Sequence, residues 1–147
     1  MKISTGSDHR GLHQRKIIGE ALAELGHQWV DLGTMTEESC DYPDIAKKLG
    51  KSVTSGESDM GILVCGTGIG MSIAANKVRG VRAAVCVDEA TAALSRQHND
   101  ANVMCLPGDN FDDDQLRNMV KGWLSSEPEG GRHERRVGKV IAMEAEF

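Results

Sequence analysis

The chain has 147 residues, enough for one domain with a sizeable core, and its 39% hydrophobic and 27% charged content is ordinary for a globular protein. Aromatic residues make up only 3%, so the interior has to be built from Val, Ile, Leu, Ala and Met. A formal net charge of −5 argues against a general nucleic-acid or membrane partner.

The opening MKISTGSD reads as a short strand and turn without the apolar stretch of a secretory leader behind it. No apolar run approaches the roughly 20 residues needed to span a bilayer, and the expected compartment is the cytoplasm. RGLHQRKIIGEALAELG follows as a helix: Ile17, Ile18, Ala21, Leu22 and Leu25 keep helical spacing and Gly26 supplies the stop. HQWVDLG reads as the second strand and DYPDIAKKLGKSVTSG as the second helix, with Pro43 near its start. MGILVC is a continuous apolar run, the pattern of a strand buried on both faces. The loop CGTGIG and the helix GMSIAANKV come next, then a fourth strand in VRAAVCV. DEATAALSRQH is a helix with acidic residues in its first turn, and ANVMCLP is the fifth strand. FDDDQLRNMVKGWLSS forms a helix opened by aspartates, and the tail EGGRHERRVGKVIAMEAEF forms the last. This alternation implies an α/β protein, one domain over residues 1–147 with a five-stranded parallel sheet covered on both faces. Ligands of such sheets bind beyond the carboxyl ends of the strands.

The residues at strand ends are therefore the candidates for chemistry: SDHRG after the first strand, CGTGIG after the third and HNDAN before the fifth. The glycines at 66, 68 and 70 do not fit the dinucleotide fingerprint, which would need glycine where Met71 stands. A P-loop would need a Lys-Ser/Thr pair, and a phosphatase loop would need arginine at Met71. Two readings remain, a plain strand-to-helix turn and a cradle of backbone N–H donors for an anionic oxygen.

Four cysteines lie at 40, 65, 86 and 105 with no C-x-x-C, a spacing expected of reduced thiols rather than disulfides. Cys65 differs from the rest because it ends a strand immediately before the glycine loop, where a helix N-terminus favours thiolate. Asp8, His9, His98 and Asn99, taken singly, are ordinary capping or surface residues, and His13, His27 and His133 need no role. Arg132 and Arg136 share a helix face at i,i+4 spacing, together with Arg135 and Lys139. That basic cluster in an acidic chain is either a solvated face or an anion site. No His/Cys/Glu grouping has zinc spacing, so neither a metal nor another cofactor is implied.

Taken together, SDHRG, DYPD, CGTGIGMSIAANK, RAA, RQHNDANV and EGGRHERR resemble the type B ribose-5-phosphate isomerases, a family that includes the galactose-6-phosphate isomerase subunits. The likeness runs from about residue 1 to residue 141. It implies a Rossmann-like three-layer α/β/α sandwich, metal-free aldose–ketose isomerisation of a sugar phosphate, and a homodimer or dimer of dimers with shared active sites. The C-terminal helix, about residues 130–145, is then expected to pack on a partner subunit. The resemblance assigns the enolisation base to Cys65 and proton movement between O1 and O2 to Thr67. It gives ring opening and sugar binding to Asp8 and His98, hydroxyl contacts to Asn99, and the phosphate to His9, Arg132 and Arg136. Backbone N–H groups of Gly66, Gly68, Ile69 and Gly70 suit the enediolate oxygens.

Three departures from the family bear on the substrate. Asp109 stands where many members carry arginine, Pro107 where glycine is usual, and Pro128 where an aromatic often precedes EGGRH. Ribose 5-phosphate leads, with allose 6-phosphate, galactose 6-phosphate and a tetrose phosphate as alternatives. A sugar-phosphate-binding regulator without catalysis is the rival of a different class. The intact Cys65, Thr67 and His98 set argues against it.

Overall fold

The computed structural model describes residues 1–147. Strands β1 (Lys2–Ser7), β2 (Gln28–Asp31), β3 (Met60–Cys65), β4 (Ala83–Val85) and β5 (Val103–Pro107) form one sheet in the order β2-β1-β3-β5-β4. Every neighbouring pair is parallel. Helices α1 (Leu12–Glu24), α2 (Tyr42–Thr54), α3 (Ile69–Ala75) and α4 (Glu89–Asn99) connect successive strands, while α5 (Asp113–Leu124) and α6 (Arg132–Met143) follow the last.

The alternation of side chains along β3 builds both cores. Met60, Ile62 and Val64 point toward Ile18 and Leu22 of α1, Ala92 of α4 and Leu116, Met119 and Trp123 of α5. Leu63 and Cys65 point the other way, among Ala46, Leu49 and Val53 of α2 and Met71 and Ala75 of α3. The layers expected from the alternation are therefore present, and each fully buried Leu or Ile contributes about 2 kcal/mol. Gly26 adopts φ +79° just beyond α1, the left-handed stop its position predicts.

The fourth strand is shorter than VRAAVCV. Its last residues are drawn into the cap of α4: Val87 and Asp88 N–H groups both donate to Thr91 Oγ1, while Asp88 Oδ1 accepts the Thr91 N–H at 2.6 Å. Cys86 thus lies just outside the strand although its N–H still donates to Cys105 O at 3.0 Å.

Arg15 ties two strand ends together. Its buried guanidinium pairs with Asp31 at 2.9 Å and donates to Ser7 Oγ at 2.6 Å, fixing the last residue of β1. No helix is long and apolar enough to cross a membrane.

Candidate active site

The three central strands end at Ser7, Cys65 and Pro107, and in a parallel sheet those ends share one edge. The register sets Ser7 beside Val64 and Cys65 beside Pro107, so residues 8–10, 66–68 and 108–109 leave the sheet side by side. Gly108 N–H donates to Cys65 O at 2.7 Å, and Gln14 Nε2 donates to Gly108 O at 2.6 Å. Asp8 is buried, and its Oδ1 accepts the Arg10 N–H at 3.0 Å. His9 Nδ1 accepts the Cys40 N–H at 3.4 Å, which leaves Nε2 as the hydrogen-bearing nitrogen.

Cys65 is only 5% exposed and opens the turn. Gly68 adopts φ +75° at the N-cap of α3, and a Cβ there would lie 3.1 Å from the Leu106 carbonyl carbon. Backbone conformation and close approach both select glycine at that position. The turn leaves the N–H groups of Gly66, Thr67 and Gly68 without an acceptor, whereas the Ile69 N–H reaches Thr67 Oγ1 at 3.3 Å. Two side chains cover the glycines: a Cβ on Gly70 would lie 2.7 Å from Tyr42 Cζ, and one on Gly66 would lie 2.7 Å from Arg10 Nη1. Arg10 is in turn ion-paired with Asp109 from the loop after β5.

All four cysteines are free, as their spacing predicts. Burial pushes the Cys86 thiol up to about 11 and the Cys105 thiol well above its ordinary value, so both stay protonated core residues.

The second group of predicted residues lies elsewhere. Helix α4 returns from the end of β4 to the start of β5, so its last residues, His98 and Asn99, stand at the amino edge of the sheet. Asp100 reverses the chain at φ 45°, with its carboxylate held by Arg82 at 3.0 Å and Arg96 at 2.7 Å. Helix α6 packs beside α4. The His98 ring stacks on that of His133 with centroids 4.1 Å apart and planes 6° from parallel. Glu129 Oε2 lies 3.9 Å from His98 Nε2 and 3.5 Å from His133 Nε2, while Arg132 Nε donates to His133 Nε2 at 3.3 Å. Burial, with the nearby His98 and Arg132, holds the His133 pKa below that of an ordinary imidazole. Arg132, Arg135 and Arg136 are exposed and have no carboxylate partner.

A strand rises roughly 3.3 Å per residue, so β3 alone separates the two edges by much more than one side chain can reach. Asp8, His9, Cys65, Thr67, Gly66, Gly68, Ile69 and Gly70 are brought together; His98, Asn99, Arg132 and Arg136 form a separate group. His133, for which the sequence suggests no role, is buried against His98. Arg10, Tyr42 and Glu129 also stand at these two edges without having been singled out from the sequence. Arg10 and Tyr42 sit inside SDHRG and DYPD, so the signal was present in the motifs. The Arg10–Asp109 pair and the His98–His133 stack join residues far apart in the chain and have no local signature, whereas Glu129 lies four residues before His133.

The ligand atoms of His98, Glu129 and His133 lie within 4.8 Å of one another. Parallel rings aim their nitrogen lone pairs side by side rather than at one point, and the neighbouring arginines oppose a cation.

A family model described as Ribose/Galactose Isomerase matches residues 3–140. The chain belongs to the ribose/galactose isomerase family. Its relatives include ribose-5-phosphate isomerase B of Escherichia coli (strain K12), 44% identical over 143 residues that span 97% of this chain and 96% of that protein. The structure of ribose-5-phosphate isomerase B from Clostridium thermocellum superposes with a TM-score of 0.96 at 47% identity, covering 99% of each chain. That from Mycoplasma genitalium, with bound ribulose-5-phosphate, gives 0.94 at 45% identity over 99% of this chain and 97% of that one. The resemblance read from the motifs therefore holds over the whole molecule, and the chain is an aldose–ketose isomerase with the fold of this family.

Proposed function

We propose that this isomerase interconverts ribose 5-phosphate and ribulose 5-phosphate through a cis-enediolate, with Cys65 as the base. The reading rests on the Cys65–Gly70 turn, where a thiol at the carboxyl edge precedes N–H groups that have no acceptor. The relative with bound ribulose-5-phosphate supports the choice of substrate.

Ring opening comes first, since a furanose has no free carbonyl; His98, with Asp8, moves the proton between the ring oxygen and O1. Cys65 thiolate then takes the C2 proton, and the electron pair moves through C1 to leave negative charge on O1. N–H donors of the turn stabilise that oxygen, each contributing about 3 kcal/mol when well placed. Thr67 passes the O2 proton to O1. The Cys65 thiol returns its proton to C1, the C2 carbonyl forms, and the thiolate is regenerated. Asn99 contacts the sugar hydroxyls. Arg132 and Arg136, with His9, hold the phosphate, whose binding energy positions the reacting carbons. No step calls for a metal.

Because the two groups of residues lie on opposite edges, each active site takes Cys65, Asp8 and His9 from one subunit and His98, Asn99, Arg132 and Arg136 from its partner. Val140, Ile141 and Met143 of α6, each about half exposed, form an apolar face for that partner. The enzyme works in the cytoplasm as a homodimer or a dimer of dimers, each chain one domain. Asp109 keeps allose 6-phosphate, galactose 6-phosphate and a tetrose phosphate in contention.

Incubation of these aldose phosphates with the enzyme in deuterated water tests the reading. Deuterium should exchange at C2 of the preferred substrate with the wild type and not with Cys65→Ala. Isomerisation without any incorporation of deuterium would point to a direct hydride shift in place of the enediolate.

A further inference from the structure

We propose that the Arg10–Asp109 ion pair reads a hydroxyl on C3 or C4 of the open-chain sugar and so determines which aldose phosphate is accepted. The inference rests on the Cys65 turn being the reacting site.

The pair bridges two of the three segments that build the carboxyl edge. Gly66 directly follows Cys65, and a Cβ there would lie 2.7 Å from Arg10 Nη1 and 3.0 Å from its Cζ. The guanidinium therefore covers the first glycine of the turn. Arg10 also sets the shape of the Asp8 segment, its N–H donating to Asp8 Oδ1 at 3.0 Å. Asp109 follows Gly108, whose N–H is bonded to Cys65 O at 2.7 Å, so the backbone that carries the carboxylate is tied to that of the base.

The pair is not a stability device. Its side chains are 55% and 51% exposed, and ion pairs so exposed add little to folding. Exposure leaves both partners with capacity for a ligand: a guanidinium has five N–H donors, and a carboxylate has lone pairs beyond those one contact uses. Donor and acceptor thus stand together. A hydroxyl, which both donates and accepts, satisfies the two at once. A phosphate only accepts and meets the repulsion of Asp109, whereas Arg132 and Arg136 offer guanidinia with no carboxylate attached. The charge pattern divides the substrate, with the phosphate directed to the unpaired arginines and a chain hydroxyl to the paired one. An analogue lacking that hydroxyl would leave the spare donor and acceptor of the pair unsatisfied once the sugar excludes water, an arrangement that discriminates strongly.

The test compares kcat/KM for ribulose 5-phosphate, which is acyclic and needs no ring opening, with its 3-deoxy and 4-deoxy analogues in the wild type, Arg10→Ala and Asp109→Ala. The wild type should prefer ribulose 5-phosphate to one analogue by roughly 10- to 100-fold. Both variants should reduce that preference to within about threefold, while inhibition by inorganic phosphate in Arg10→Ala stays within about twofold. A preference ratio taken within one variant does not depend on how much of it is folded. An unchanged ratio in both variants overturns the proposal, as does a tenfold weakening of phosphate inhibition in Arg10→Ala with the ratio intact. If the wild type isomerises no aldose phosphate, the proposal falls together with the reading of the site. Turnover with unaltered selectivity removes only the role of the pair.

Discussion

At the carboxyl edge of the sheet, Cys65, Asp8 and the glycine turn are fixed by paired backbone on both sides; at the amino edge, His98, Asn99, Arg132 and Arg136 project from helix ends. The first region has a buried thiol, a buried carboxylate and unpaired N–H donors, but its arginine is already matched by Asp109. The second has unmatched guanidinia and a stacked histidine pair, yet no thiol. Each edge holds what the other lacks. Proton abstraction needs groups fixed to a fraction of an ångström, which strand ends supply, while a remote dianion can be gathered by long cationic side chains on a helix.

The largest expected effect breaks the carboxyl edge. Cys65→Ala removes only a thiol from a packed position and should lower kcat by about 10³-fold or more. Its circular dichroism and its affinity for inorganic phosphate should stay close to wild type. Comparable residual turnover would mean that another group takes the C2 proton.

A smaller effect is expected at the amino edge. Arg136→Ala should raise KM by about tenfold and weaken phosphate inhibition in parallel, with kcat within about threefold. A fall in kcat at unchanged KM would instead place Arg136 at the reacting carbons.

The smallest effect is on stability. The folded chain holds the His133 pKa below the ordinary 6.5, so the unfolded chain binds a proton that the folded one resists. That contribution is intact above pH 6.5 and declines as the pH falls through the lowered value. Tm should therefore drop between pH 7 and pH 5, and His133→Asn should flatten the slope. An unaltered slope in the variant would assign the titration to other groups.

One edge of this division was legible in the sequence and the other was not. MGILVC announces a strand buried on both faces, and a buried central strand must end where the glycine loop begins, so the Cys65 turn could be placed from local pattern. The order β2-β1-β3-β5-β4 and the separation of His98 from Cys65 are long-range consequences of crossovers that no local period records. The stack of His98 on His133 depends on α6 folding back along α4, and the pairing of Arg10 with Asp109 joins loops from two non-consecutive strands. Asp109 stands where many members of the family carry arginine. In the fold, Arg10 supplies a guanidinium beside it, which sequence alone could not place. The shortened β4 has a local origin, a choice between strand pairing and helix capping that Thr91 decides.

Two inactive chains can show whether the edges meet across a subunit boundary. Differently tagged Cys65→Ala and His98→Asn proteins would be mixed under conditions of subunit exchange and assayed on ribose 5-phosphate. With a site built from the carboxyl edge of one copy and the amino edge of another, each hybrid dimer regains one intact site. Random pairing then restores roughly a quarter of wild-type activity. Hybrids that form and remain inactive would contradict a shared site.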